Sequence, residues 1–173
     1  VEMQAQKERA RAARTTEKSM GVQTALLGDI KVESKFVGYD HLEIESELLV
    51  ILQDNAMVST VKEGEAKVIF AETPFYAEMG GQIADKGILV DQSGKIIANV
   101  TDVQKAPNGQ ALHTVEVLES LNEGDKYFLQ VNAAFRNKVI KNHTATHVLH
   151  KALKEVLGDH ANQAGSLVTD THL

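Results

Sequence analysis

From about Ile30 to Asn132 the chain is written in short runs of alternating or β-branched apolar residues, separated by turn-forming residues. "HLEIESELLVILQ" alternates at its start, "AKVIFAE" is a compact apolar run, and "KGILVDQSGKIIANV" has two strand-like halves around Asp91, Gln92, Ser93 and Gly94. "DVQKAPNGQALHTVEV" repeats that layout around Pro107, Asn108 and Gly109, where Asn-Gly favours the positive φ angles of a tight hairpin turn. "EGDKYFLQVN" closes the set. A period of two buries one face of each strand. Several such strands at short, turn-marked spacing predict an antiparallel sheet curled into a small barrel.

Both ends follow a different rule. "MQAQKERARAARTTEK" is rich in Ala, Gln, Arg and Lys, which predicts a helix with little apolar face, the character of a connector over residues 1–29. In "AAFRNKVIKNHTATHVLHKALKEVLGDH", Val139, Ile140, Leu149, Leu153, Val156 and Leu157 recur at threes and fours, and Gly158 stands where a C-terminal cap belongs. The expected fold class is α+β: a connector helix (1–29), a β-barrel (30–132), and a third part (133–173) that opens on a long helix. An apolar helix face with nothing to cover it predicts self-association through that helix or a mobile C-terminus.

Composition narrows the setting. No apolar run approaches the roughly 20 residues that span a bilayer, so no membrane partner is expected. The chain has no cysteine and its first residues have no apolar signal core, so a cytoplasmic location is expected. The net charge of −6 is unevenly spread: residues 1–20 carry +2 and residues 135–154 carry +5, leaving −13 elsewhere. Arg136, Lys138, Lys141, Lys151 and Lys154 could steer a polyanion to one place, or could be a solvated helix face.

"NHTATHVLH" places His143, His147 and His150 at intervals of four and three. Residues four apart share a helix face, so two imidazoles can reach one cation, yet zinc normally takes three or four protein ligands. Thr144 stands where a zincin would carry its general-base Glu, which excludes that class. Histidines that merely pack along a helix remain the other reading. His41, His113 and His160 have no ligand-like spacing.

Two phrases resemble the alanyl-tRNA synthetase family closely: "TPFYAEMGGQIADKG" (Thr73 to Gly87) and "NHTATHVLHKALKEVLGDHANQAGSLV" (Asn142 to Val168). The resemblance covers essentially the whole chain. It implies a connector helix, an EF-Tu-like β-barrel and the start of a zinc-containing editing core, cut from a longer protein. By position, His143 and His147 match two zinc ligands, Thr146 a residue of the editing pocket, and Gln163 a glutamine facing the mischarged aminoacyl end. The family's other two ligands, in a Cys-x3-His motif, have no counterpart here, so the resemblance implies half a zinc site. Gly80, Gly81 and Gln82 match a glycine-rich loop bordering the editing cleft. Met79 departs from the family's usual Ser, and Ala84 from its frequent Gly.

The resemblance further implies a parent that charges alanine tRNA, with ATP and magnesium confined to a ligase region absent from this chain. The editing region would hydrolyse seryl- or glycyl-tRNA, with Thr146 and Gln163 in the catalytic pocket and Arg136, Lys138, Lys141 and Lys151 on the acceptor end of the tRNA. The chain alone is expected to be inactive. A free-standing aminoacyl-tRNA editing hydrolase and a non-catalytic tRNA-binding module are the alternatives.

Overall fold

The structure, a computed structural model, describes residues 25–173. Most of the predicted connector helix therefore lies outside the described residues, and of it only residues 25–28 are seen, as a helical turn. The strands are β1 (Lys35–Phe36), β2 (Glu43–Gln53), β3 (Ala56–Val58), β4 (Thr60–Val61), β5 (Gly64–Phe70), β6 (Glu72–Thr73), β7 (Gly87–Val90), β8 (Ile96–Lys105), β9 (Ala111–Val117), β10 (Leu121–Asn122) and β11 (Lys126–Val131). Six of them close a ring in the order β2, β5, β9, β8, β7, β11 and back to β2, every pairing antiparallel. Closure leaves no long edge for another strand to extend. The predicted barrel and the α+β class are both observed.

Alternation explains which side chains fill the barrel. Ala66, Val68 and Phe70 of β5 and Val115 and Val117 of β9 point inward with Leu48, Phe75, Leu89 and Leu129. Their neighbours Ile69 and Leu112 point outward, into a second cluster with Leu27, Ile30, Val50 and Leu52. Strand β2 serves both clusters because its register with β5 slips between Leu48 and Val50. One extra residue reverses the parity of everything after it. Leu48 and Ile51 therefore face the barrel while Val50 and Leu52 face the outer cluster.

The hairpins repeat the predicted chemistry with one exchange of parts. Asp91 folds its turn by accepting from Ser93 N (2.8 Å) and Lys95 N (3.0 Å), with Gly94 at φ 86°. Between β8 and β9 the expected Asn-Gly turn is built differently. Only Gly109 has positive φ (88°), while Asn108 donates its side-chain amide to the carbonyls of Gly28 (3.0 Å) and Ile30 (2.6 Å). The turn residue thus ties the segment before the barrel onto its outer wall. The two-residue turn with both φ positive lies instead at Asp54 (50°) and Asn55 (62°), between β2 and β3.

The long helix spans Ala133–Leu157. Asn132 caps its start by accepting from Phe135 N at 3.0 Å, and Gly158 ends it with φ 102°. Of its residues only Arg136 and Val139 are buried. Val148, Leu149, Leu153, Val156 and Leu157 remain exposed, so the apolar face is present and has no cover among the described residues. No described helix is long and apolar enough to cross a membrane.

Candidate functional site

The segment between β6 and β7 carries the glycine-rich phrase, and its turn is closed by its own backbone. Met79 N donates to Gln82 O (3.2 Å) and Gln82 N to Met79 O (3.1 Å). Gly80 (φ 63°) and Gly81 (φ 83°) make the reversal. The C-terminal segment then runs alongside: Val168 N donates to Gly81 O (2.7 Å) and Ile83 N to Val168 O (3.1 Å). A Cβ on Gly81 would stand 2.3 Å from the Ser166 carbonyl oxygen. Gly81→Ala is expected to cost about 1–3 kcal/mol from the left-handed backbone alone. It should also loosen the Ser166–Val168 segment, seen as faster amide exchange at Val168, and unchanged exchange and stability would refute this.

The turn delivers Gln82 to the helix. Gln82 Oε1 lies 2.6 Å from His143 Nδ1, and His143 Nε2 lies 3.0 Å from His147 Nε2. One helical turn separates the two rings, whose centroids are 4.9 Å apart. Two nitrogens on one tetrahedral zinc, with bonds of about 2.0–2.1 Å, would be roughly 3.3 Å apart. The pair therefore fits two positions of such an ion with little movement. Among the described residues no group of three or more His, Cys, Asp or Glu is placed to hold a metal, so this chain offers two donors and not a closed site.

Beside this pair lies a cleft of about 590 Å³ between the barrel and the helix, with Phe36, Tyr39, Tyr76, Gln82, His143 and Thr144 in its wall. Tyr39 is 84 % exposed and its ring is braced edge-on by Phe36 at 5.0 Å. Phe36 also meets Tyr76 edge-on at 6.1 Å. Burial pushes the Tyr76 phenol above its ordinary range, and the neighbouring Tyr39 and Asp85 push the same way, so it stays a neutral donor. A braced aromatic face next to hydrogen-bonding groups can stack a flat heterocycle and orient it.

The predicted site residues divide on this geometry. Gln82, His143 and His147 come together, and Gly80 and Gly81 shape the turn that makes this happen. Thr146 sits on the helix with its hydroxyl donated to Asn142 O at 2.9 Å. Gln163 is exposed beyond the helix and has no hydrogen-bond partner among the described residues. Arg136 departs from the expected basic strip. Its guanidinium is buried and paired with buried Asp85, donating also to Gly38 O at 2.7 Å, so it holds the helix to the barrel and is not presented to a phosphate. Lys138, Lys141, Lys151 and Lys154 do not form one line either. With 3.6 residues per turn, the first pair and the second fall on different sides of the helix, and Lys151 has Glu155 at 3.9 Å. Tyr39 lies outside both recognisable phrases, and Tyr76 and Asp85 lie inside the first of them without a role that local sequence suggests; only the fold brings the three to this corner.

Comparison with known proteins agrees with the phrases that carry the resemblance. The family model for tRNA synthetases class II (A) matches residues 1–135. The alanine-tRNA ligase of Enterococcus faecalis is 64 % identical over 173 residues, covering 100 % of this chain and 20 % of that protein. The alanine-tRNA ligase of Pediococcus pentosaceus is 58 % identical over 99 % of this chain and 20 % of its own length. That of Lactiplantibacillus plantarum is 56 % identical over 100 % of this chain and 20 % of its own length. The chain thus spans about one fifth of the curated relatives it matches. The matched family model covers more than three quarters of the residues, and the chain belongs to the class II (A) tRNA synthetases.

Proposed function

We propose that this chain is the part of an alanine-tRNA ligase that receives the acceptor end of a mischarged alanine tRNA and takes part in hydrolysing its seryl or glycyl ester. The observation that carries the reading is the convergence of His143 and His147 nitrogens at 3.0 Å beside an aromatic-walled cleft. In the reaction, water adds to the ester carbonyl, and collapse of the tetrahedral adduct expels the ribose hydroxyl and releases the amino acid. Zinc, when bound, supplies Lewis-acid chemistry, polarising water or holding the substrate. This chain's own contribution is two imidazole ligands, the loop that orients one of them, and the cleft.

The physical need for such a site is clear. Serine differs from alanine by one hydroxyl, and a synthetic pocket lined for a small side chain rejects such a neighbour by only about 10²-fold. A second hydrolytic site makes up the difference. The cleft supports a role in placing the last nucleotide: Tyr39 offers a stacking face, and Tyr76 a neutral hydroxyl. Thr146 and Gln163 are assigned to the aminoacyl end. Lys138 and Lys141 are assigned to acceptor-strand phosphates. ATP and magnesium belong to the ligase reaction of the longer protein.

The test is zinc content and seryl-tRNA deacylation, measured on a full-length ligase containing this region and on the 173-residue chain. His143→Ala with His147→Ala should remove zinc from the editing region and stop deacylation while alanine charging continues. Deacylation that survives the double change would sink the reading. A tRNA-binding role without catalysis would instead show as salt-sensitive binding with no ester hydrolysis in either protein.

A further inference from the structure

We infer that Gln82 is a positioning residue that holds His143 in the tautomer whose Nε2 is free to bind a metal, before any metal arrives. Gln82 Oε1 can only accept, so the 2.6 Å contact requires the proton of a neutral His143 ring to sit on Nδ1. The lone pair is then on Nε2, the atom facing His147. Because His143 Nε2 accepts, the 3.0 Å contact between the two rings requires the proton on His147 Nε2. The two ligands are therefore unequal in the metal-free chain. His143 is preset, whereas His147 is in the wrong tautomer. On metal capture His147 loses the Nε2 proton to water and gains one at Nδ1, so the ring stays neutral and the proton count is unchanged.

The position of Gln82 follows from the tight turn described above. Gly80 and Gly81 reverse the chain, the Met79–Gln82 backbone pair locks it, and Val168 braces it from the other side. The backbone thus fixes where the Gln82 side chain starts, and its amide oxygen meets the His143 ring at 2.6 Å. Partners of this kind, on the non-ligating nitrogen, fix ring orientation and raise ligand basicity. The glycine-rich phrase in this reading serves the histidine and not the substrate directly. The role rests on the proposed editing reading, while the tautomer itself does not.

Long-range ¹H–¹⁵N correlation spectra of the metal-free 173-residue chain at about pH 8, where an unperturbed imidazole is neutral, read each histidine's tautomer. The expected result is His143 with its proton on Nδ1 and His147 with its proton on Nε2. Gln82→Glu keeps an acceptor and should keep that signature; Gln82→Met should shift His143 towards the Nε2–H form. In full-length ligase Gln82→Met should weaken zinc retention by about 10–100-fold, with Gln82→Glu restoring most of it. His143 found with its proton on Nε2 in the unaltered chain, or a Gln82→Met spectrum identical to it, overturns the assignment. If the tautomers are as expected but His143→Ala leaves zinc retention and editing intact, it is the editing reading that falls, since the tautomer was read without metal.

Discussion

Arg136→Ala is expected to cost about 3–5 kcal/mol, the usual penalty for stripping one partner from a buried ion pair. Asp85 is only 3 % exposed, and its carboxyl group would be left with one described hydrogen bond, from Tyr76 N at 2.7 Å. Arg136 Nε approaches both Asp85 oxygens, at 3.2 and 3.0 Å, and Nη1 donates to Gly38 O, so the substitution also orphans a buried carbonyl. A domain of this size has a total stability of about 5–15 kcal/mol, so the loss is a large share of it. The effect is also directional. Arg136 and Val139 are the helix residues buried against the barrel, so the helix should swing away while the closed six-strand ring survives. Urea unfolding together with amide exchange over Ala133–Leu157 would read this. Arg136→Lys should recover little, because an ammonium cannot reach the carboxylate and the Gly38 carbonyl in one planar fork. A loss below about 1 kcal/mol, small even for a neutral hydrogen bond, with His143 still beside Gln82, would overturn the assignment.

The second large effect is on pH. His113 is fully buried in the barrel, between Phe70 (5.5 Å) and Phe75 (5.6 Å). Its Nδ1 donates to Val68 O at 3.1 Å, and its Nε2 accepts from Thr73 Oγ1 at 2.7 Å, which in turn accepts from Phe75 N at 3.1 Å. Burial lowers its pKa from 6.5 to about 4, against a smaller opposing pull from the Val68 and Ala111 carbonyls. The unfolded chain takes up the proton first as pH falls. The stability His113 contributes is therefore complete above about 6.5 and is lost progressively down to about 4. A shift of that size corresponds to about 3 kcal/mol. Unfolding midpoints between pH 7 and 4.5 should fall steeply for the native chain, and His113→Gln should flatten that slope while lowering the starting stability. Parallel slopes for the two proteins would show that His113 is not the group responsible.

Both predictions rest on pairs that the linear sequence keeps far apart. Arg136 lies 51 residues from Asp85 and His113 lies 40 from Thr73, just as His143 lies 61 from Gln82. Read along the chain, Arg136 belonged with the neighbouring lysines, because charge clustering is a local statistic and says nothing about burial. Gln82 read as part of a substrate loop for the same reason: the phrase around it was recognisable, and its partner was not.

What the sequence determined by itself is what depends on near neighbours. Period-two runs set the strands, periods of three and four set the helix, Gly158 set its end, and the four-residue spacing put His143 and His147 on one face. The long matching phrases also identified the family. The tertiary structure alone decided which strands close the ring, where a bulge in β2 reverses its faces, and that Asn108 ties down a distant segment. It also decided that Arg136 is a buried anchor, and that Gln82 reaches the histidine ring. These depend on distances between residues that only burial and ring closure bring together, and neither periodicity nor local turn chemistry encodes such distances.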